Sequence, residues 1–180
     1  MACNQSVITG DLTLDCSDVP VGGITTVYVA RFDDVTSFVE VDGELTGISL
    51  VAGHTVNLEF NPKDGFSNFT DTKTVDESGA VIATPELVLE FPKTTLDKRN
   101  ALEKLVRPNS TYALFVETAA GVRHALGLDF GLDASEGKGM SGKQRSDKNK
   151  YEIKFSGEEI NLARTIDDTA WALIVTSLKP

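Results

Sequence analysis

The sequence predicts a mainly β protein of antiparallel strands with one helix, and three observations support this. Short segments rich in β-branched and aromatic residues recur along the 180-residue chain, turn signals join several of them into hairpins, and one segment has helical periodicity. No linker, repeat or low-complexity tract interrupts the chain. We therefore expect a single domain over residues 1–180, with a core drawn from the 41% of residues that are apolar.

Strands and a hairpin are predicted in the first third of the chain. The segment GGITTVYVARF (22–32) is rich in β-branched and aromatic residues, as strands are. TSFVEV then leads into Asp42-Gly43, a dipeptide that two-residue hairpin turns prefer, and ELTGISLV leaves it. In HTVNLEF (54–60), apolar and polar residues alternate, so Val56 and Leu58 are expected to face the core.

A second hairpin is predicted further along. FTDTKTV (69–75) and AVIATPELVLEF (80–91) flank the turn DESG. Pro85 within the second segment indicates a bulge or a sheet edge, because proline cannot donate a ladder hydrogen bond.

One helix is predicted in TTLDKRNALEKLVRP (94–108). Thr94 or Thr95 is the N-cap candidate, and Pro108 ends the pattern. The apolar residues of this segment share one face while most of its basic residues lie on the other, which is typical of a helix that covers one side of a sheet.

Strands are predicted again in the last third, in TYALFVET (111–118), VRHALGLDFGL (122–132), KYEIKFSGEE (150–159) and TAWALIVTSL (169–178). A long loop is expected over 133–149. The total is eight or nine strands and one helix.

The stretch GKGMSGK within that loop matches the skeleton of a nucleotide-binding P-loop through Gly137, Gly142 and Lys143. A P-loop follows a buried strand, precedes a helix and carries Ser or Thr after the lysine. Here Gln144 follows the lysine, and an alternating strand pattern comes next. We therefore interpret the match as accidental and expect its glycines to keep a hairpin loop mobile.

No other catalytic or cofactor motif stands out. Cys3, Cys16, His54 and His124 have no metal-ligand spacing, and there is no G-x-S-x-G nucleophile turn. The expectation is a protein that is not an enzyme and takes no cofactor. The start MACNQSVITG has neither a basic segment nor an apolar one, so we expect no signal peptide and no membrane anchor.

Charge is distributed unevenly. Residues 137–154 hold six basic and two acidic residues, a net of +4, while the rest holds 11 basic and 25 acidic residues, a net of −14. An acidic body repels phosphate backbones, and the basic stretch lacks interleaved aromatics for stacking on bases. Contact of the loop with an acidic protein surface is favoured, and the candidate contact residues are Lys138, Lys143, Arg145, Lys148 and Lys150.

From Phe69 to Glu159 the sequence resembles the tail tube proteins of tailed bacteriophages and prophages, in particular those of Bacteroides-type hosts. The second hairpin, the helix, the strands and the glycine-containing loop follow one another in the same order as in that family. The most specific element is the pattern D-x-N-x-Y-x-x-x-F-x-G-x-E, formed here by Asp147, Asn149, Tyr151, Phe155, Gly157 and Glu159. The loop departs from this family, in which neutral Thr and Ala residues are expected in place of its basic ones.

The resemblance implies an antiparallel β-sandwich or half-barrel, tail-tube-like, with one flanking helix at about 94–106. Six copies would close into a ring, and stacked rings would form a virion tail tube through which DNA passes without specific binding. Partners would be the protein itself and other phage tail or neck proteins. The protein would be found in the virion tail, and in the host cytoplasm during assembly.

Two alternatives stay open. One is another virion ring component of similar fold, such as a neck, terminator or head-decorating protein. The other is a monomeric β-sandwich that binds a small ligand or glycan. Under the tail-tube interpretation, the loop at 133–149 is expected to insert between subunits or rings.

Overall fold

The computed structural model describes residues 22–59, 67–75, 79–141 and 149–177. Within these ranges the chain is mainly β, as predicted, with eleven strands rather than eight or nine. The strands are β1 (Ile24–Arg31), β2 (Val35–Val41), β3 (Glu44–Leu50), β4 (Val56–Glu59), β5 (Asn68–Val75), β6 (Val81–Pro92), β7 (Thr111–Thr118), β8 (Arg123–Leu126), β9 (Leu132–Met140), β10 (Lys150–Ser156) and β11 (Arg164–Ile166). The helices are α1 (Leu96–Leu105), α2 (Asp168–Thr176) and a short 3-10 turn, Phe32–Asp34.

The strands form one continuous sheet that folds over as two layers. The central layer has the order β4-β1-β7-β8-β11-β3-β2, and the flanking layer has the order β9-β10-β6-β5. The layers join where Thr111 and Tyr112 of β7 pair with Asp133 and Leu132 of β9. All pairs are antiparallel except β3 with β11, so the sheet is mixed and the expectation of purely antiparallel strands is wrong at this pair.

The first hydrophobic core lies between the two layers. It joins one face of β1 and β7 to the facing residues of β6 and β10, and α1 packs against it through partly buried side chains. This arrangement agrees with the predicted sandwich or half-barrel with a flanking helix. The fully enclosed members are Val27, Leu87, Leu89, Leu114, Val116, Leu132, Ile153 and Phe155.

The second core lies on the opposite face of the central layer. Because side chains alternate along a strand, Tyr112 and Leu114 of β7 belong to the first core, whereas Ala113 and Phe115 belong to the second. The second core is covered by α2. Burial on both faces explains why β7 reads as a nearly continuous apolar run.

The Asp42-Gly43 hairpin is confirmed. Both residues have positive φ, 52° for Asp42 and 84° for Gly43, as a two-residue turn of the favoured mirror-image type requires. Leu58 is half-buried as predicted, but Val56 is 42% exposed because β4 is the outermost strand at its end of the central layer.

The predicted helix is confirmed over Leu96–Leu105, with Thr95 as its N-cap. The Thr95 hydroxyl accepts a long hydrogen bond of 3.5 Å from the backbone N–H of Lys98. At the other end, the Tyr112 hydroxyl donates to the carbonyl of Leu105 at 2.7 Å, which fixes the last turn of α1 to β7.

The strand predicted over 169–178 is wrong, because this segment forms α2. The Asp167 side chain caps the helix by accepting a hydrogen bond of 2.6 Å from the Ala170 N–H. Trp171 and Ile174 enter the second core, and the Trp171 ring lies edge-on to Tyr28 at 5.0 Å between centroids. Within the described ranges there are therefore two α-helices where one was predicted.

The strand predicted over 122–132 is divided. β8 ends at Leu126, a bend follows, and β9 begins at Leu132 in the other layer. Gly127 makes the bend possible, since it has a φ of 75° and a β-carbon there would be 2.6 Å from the Tyr112 carbonyl oxygen.

The first half of the loop expected over 133–149 is strand β9, and residues 142–148 lie outside the described residues. β9 pairs with β10 with a register irregularity at Ser135, so the inward face changes from Leu132 and Ala134 to Gly137 and Gly139. That irregularity breaks the alternation that identifies strands in a sequence.

Pro85 lies in a strand with neighbours on both sides. It pairs with Asp71 of β5 in regular register, without a bulge. The pairing of β6 with β10 ends one residue away, at Glu86 and Ser156. β10 therefore needs no backbone N–H donor from position 85, and proline, which has none, is tolerated there.

Candidate functional site

The five predicted contact residues are only partly described. Lys143, Arg145 and Lys148 lie outside the described residues. Lys138 lies on β9 and bonds Glu136 at 2.9 Å, and this hydrogen bond raises the pKa of Lys138. Lys150 begins β10 and forms an ion pair with Glu90.

These pairs belong to a row of opposite charges on the outer face of the flanking layer. Lys154 bonds Glu86 at 2.7 Å, and Glu152 lies within 3.8 Å of Lys138 and 3.5 Å of Lys150. Lys138 and Lys150 thus have acidic partners in their own chain. Their contact with a neighbouring copy stays a prediction.

Gly137 and Gly139 of the apparent P-loop have packing roles, and Gly142 lies outside the described residues. Gly137 lies in β9 opposite Ile153, and a β-carbon at 137 would lie 2.9 Å from Leu102 Cδ2 and 3.0 Å from Val106 Cγ2 of α1. Gly139 lies under the ring of its cross-strand neighbour Tyr151. The expectation that these two glycines belong to a mobile loop is wrong, and a strand at 137 does not form the phosphate-binding turn.

A buried ionic network, missed by the sequence analysis, lies between the β2–β3 hairpin and the bend after β8. The Arg164 side chain is 5% exposed and bonds both Asp129, at 2.6 Å, and Glu40. Its guanidinium also lies over the Phe38 ring, 5.3 Å from the centroid. Burial alone would lower the pKa of Arg164, but the bonds to Glu40 and Asp129 outweigh it and raise this pKa.

Glu159, the last residue of the pattern that carries the resemblance, extends this network. It is 4% exposed, and its carboxylate accepts hydrogen bonds from the backbone N–H groups of Asp129 at 2.8 Å and Phe130 at 3.0 Å. Burial raises the pKa of Glu159, while these two bonds act against the shift. These two bonds connect the bend after β8 to the segment that follows β10, so Glu159 has a structural role.

His124 of β8 and Asp71 of β5 are two further titratable side chains, and they lie near each other between the layers. The His124 ring lies 4.9 Å from the Phe69 ring, and its Nδ1 is buried without a hydrogen-bond partner among the described residues. Burial lowers the pKa of His124, and the nearby Asp71 opposes the shift. Asp71 itself accepts a bond from the Ala163 N–H.

Open strand edges are the main surface feature. Among the described residues, β2 pairs only with β3, β4 only with β1 and β5 only with β6, so each of these three edges leaves one row of backbone groups unpaired. β2 is exposed on both faces over most of its length, with Val39 58% and Val41 55% exposed. Such edges are templates for pairing with another chain.

The most apolar cleft lies beside α1 and has a volume of about 320 Å³. Elsewhere in the described ranges, no cluster of three or more His, Cys, Asp or Glu side chains is placed to hold a metal ion. No helix in these ranges has the length and apolar content needed to cross a bilayer.

Comparisons of the chain with protein-family models, with curated proteins and with solved structures find no match.

Proposed function

We propose that this protein is a structural subunit of a phage virion, a tail-tube subunit that assembles into hexameric, stacked rings around the path of the DNA. The sequence pattern that ends at Glu159 supports the choice of family. The mainly β fold with a helix flanking two sheet layers is of the kind that this proposal requires.

The observation that carries the proposal is the set of open sheet edges. β2, β4 and β5 each have one strand partner and no second one among the described residues. In a ring, the edge of one copy pairs with an edge of the next, and closure removes free edges altogether. In a monomer, the unpaired N–H and C=O groups of these edges would be exposed to solvent and could pair with unrelated chains.

The charge balance supports a conduit rather than a nucleic-acid binder. The chain carries a net charge of −10. A wall that neutralised phosphates would hold the DNA, whereas an acidic wall lets it slide.

Negative-stain microscopy and sedimentation of the purified protein at high concentration test the proposal. The expected result is rings that stack into tubes. Single rings that never stack would favour a neck, terminator or head-decorating component. Solitary monomers under all conditions, in the presence and absence of other phage proteins, would contradict the proposal.

A matched pair of variants tests the role of the sheet edge. Thr72 of β5 and Thr84 of β6 are exposed and face each other in register, but only β5 is an edge strand. Thr72→Lys is expected to block ring closure, because lysine on an edge strand opposes pairing with another strand. Thr84→Lys is the control and is expected to leave assembly intact.

One observation favours the ligand-binding alternative, namely the apolar cleft beside α1. Pockets of this volume and character are usual for small molecules. A persistent monomer that saturates with an apolar ligand would support this alternative.

A further inference from the structure

The cleft beside α1 is an apolar depression with a charged rim. β4 and β6 form one wall and α1 the other, and Leu58, Ala101, Leu102 and Leu105 contribute its apolar surface. Asp97 and Lys98 also line the cleft, and Lys98 donates from Nζ to the Pro92 carbonyl. The occupant that fits these walls is therefore an apolar group.

The helix beside the cleft is one of two basic segments in an acidic molecule. Residues 93–107 hold five basic and two acidic residues, a net of +3, while the rest of the chain holds 12 basic and 25 acidic residues, a net of −13. Lys104 follows Ala101 by three residues and is its neighbour on the surface of α1, next to the residues that line the cleft. Lys104 is exposed and has no ion-pair partner among the described residues.

The β2–β3 hairpin has the opposite character. Its tip combines the exposed apolar side chains of Val39 and Val41 with the exposed acidic residues Asp42 and Glu44. No Lys or Arg occurs between residues 32 and 62. The tip therefore presents two valines next to two carboxylates, which complements a cleft with apolar walls and lysines at its rim.

We propose that the β2–β3 hairpin tip of one copy docks into the α1 cleft of a second copy. Val39 and Val41 enter the apolar cleft, and Asp42 and Glu44 lie against Lys98 and Lys104. The inference rests on the proposed function in so far as both require the protein to associate with itself.

The contact is heterologous, because the two surfaces are different parts of the molecule. α1 packs on the first core, whereas β3 contributes to the second core, on the opposite face of the central layer. Each copy thus offers a hairpin on one side and a cleft on the other. Such head-to-tail contacts build closed rings or open stacks, depending on the rotation between copies.

Two charge-reversed proteins test the contact. One carries Asp42→Lys and Glu44→Lys, and the other carries Lys98→Glu and Lys104→Glu. Each alone is expected to associate at least about tenfold more weakly than the wild type, since like charges then meet across the interface. A one-to-one mixture is expected to recover association, because every reversed surface then finds an opposite partner. Sedimentation measures association, and circular dichroism checks that each variant is folded.

The control variants carry charge reversals of the same two kinds, acidic to lysine and basic to glutamate, away from the contact. Glu158→Lys and Arg31→Glu alter exposed residues outside the hairpin tip and the cleft, and they are expected to leave association unchanged. A variant that fails to fold is replaced by Val41→Asp, which acts on the apolar part of the same contact.

The outcomes separate this inference from the proposed function. If the wild type forms tubes and both reversed variants do so equally well, the hairpin docking is wrong and the proposed function stands. If the variants block association but the wild type never forms rings or tubes, the docking is supported and the proposed function fails. A wild type that never associates, or a mixture that fails to recover while each variant is folded, overturns the docking.

Discussion

Gly137 of β9 lies against Leu102 of α1 so closely that a β-carbon on the glycine would be 2.9 Å from the leucine Cδ2. This close approach lets α1 pack on the flanking layer, where it covers the first core. The glycine that suggests a phosphate-binding loop is thus required by helix packing.

We predict that Gly137→Ala destabilises the protein by about 1–3 kcal/mol, because the added methyl group forces α1 away from the sheet. Gly47→Ala is the matched control, since Gly47 also lies in a strand but its β-carbon would meet Val39 at an ordinary 3.7 Å. Urea unfolding of both variants measures the effect. Equal stabilities would show that α1 does not depend on the glycine.

Glu159 holds the bend between the layers through two backbone hydrogen bonds. Glu159→Ala leaves the N–H groups of Asp129 and Phe130 without their acceptor, and we expect a loss of about 1–3 kcal/mol for each donor that stays buried. Glu158→Ala removes an exposed neighbouring carboxylate and is expected to change stability by less than about 0.5 kcal/mol. Equal melting temperatures of the two variants in thermal unfolding would contradict this role of Glu159.

The buried Arg164 joins the nearly buried Asp129 and the partly exposed Glu40 in an ionic network. Arg164→Ala leaves two carboxylates without their cation, and a loss of about 3–5 kcal/mol is expected from breaking a buried pair. The control is Arg31→Ala, whose exposed partner Asp33 lies 4.0 Å away and which should cost no more than about 1 kcal/mol. A similar small effect for both variants, measured by urea unfolding, would rule out a stabilising role for the network.

His124 makes stability depend on pH in a defined direction. Burial lowers its pKa below the ordinary value of 6.5, so the folded state binds this proton less tightly than the unfolded state. The contribution is therefore present above the unfolded pKa and is lost as pH falls through about 6.5 toward the lowered folded pKa.

We predict that His124→Gln reduces the loss of stability below about pH 6.5, since the glutamine does not titrate. The measurement is the free energy of unfolding of wild type and variant between roughly pH 5 and 8. Parallel profiles for wild type and His124→Gln would show that this histidine does not couple to folding.

Local sequence signals were sufficient to predict the β2–β3 hairpin and helix α1. Asp42-Gly43 predicts its hairpin because few dipeptides accept two positive φ angles in succession. Thr95 and the apolar face of Leu102, Leu105 and Val106 predict α1, because one side of this helix is covered and the other is solvated.

Helix α2 could not be found in the same way. Its residues Ala170 to Val175 are apolar on nearly all sides and include β-branched residues, so the segment has the composition of a buried strand. The local signal for this helix was Asp167, whose side chain caps it.

The cleft beside α1 lay beyond local signals, although the hairpin at Asp42-Gly43 was predicted. The cleft is assembled from Leu58, Phe91 and α1, which are distant in sequence. The ionic network is similarly non-local, since Arg164 and Glu40 are 124 positions apart.

By itself, the sequence determined a mainly β chain with one capped helix, its hairpin turns and its acidic balance, because alternation, turn chemistry and charge are properties of neighbouring residues. Only the tertiary structure decided that 168–176 is a helix, that Gly137 receives α1, and that Glu159 and Arg164 are buried together. These outcomes depend on which distant surfaces meet, and the free energy of that burial outweighs the weak local preferences of the chain.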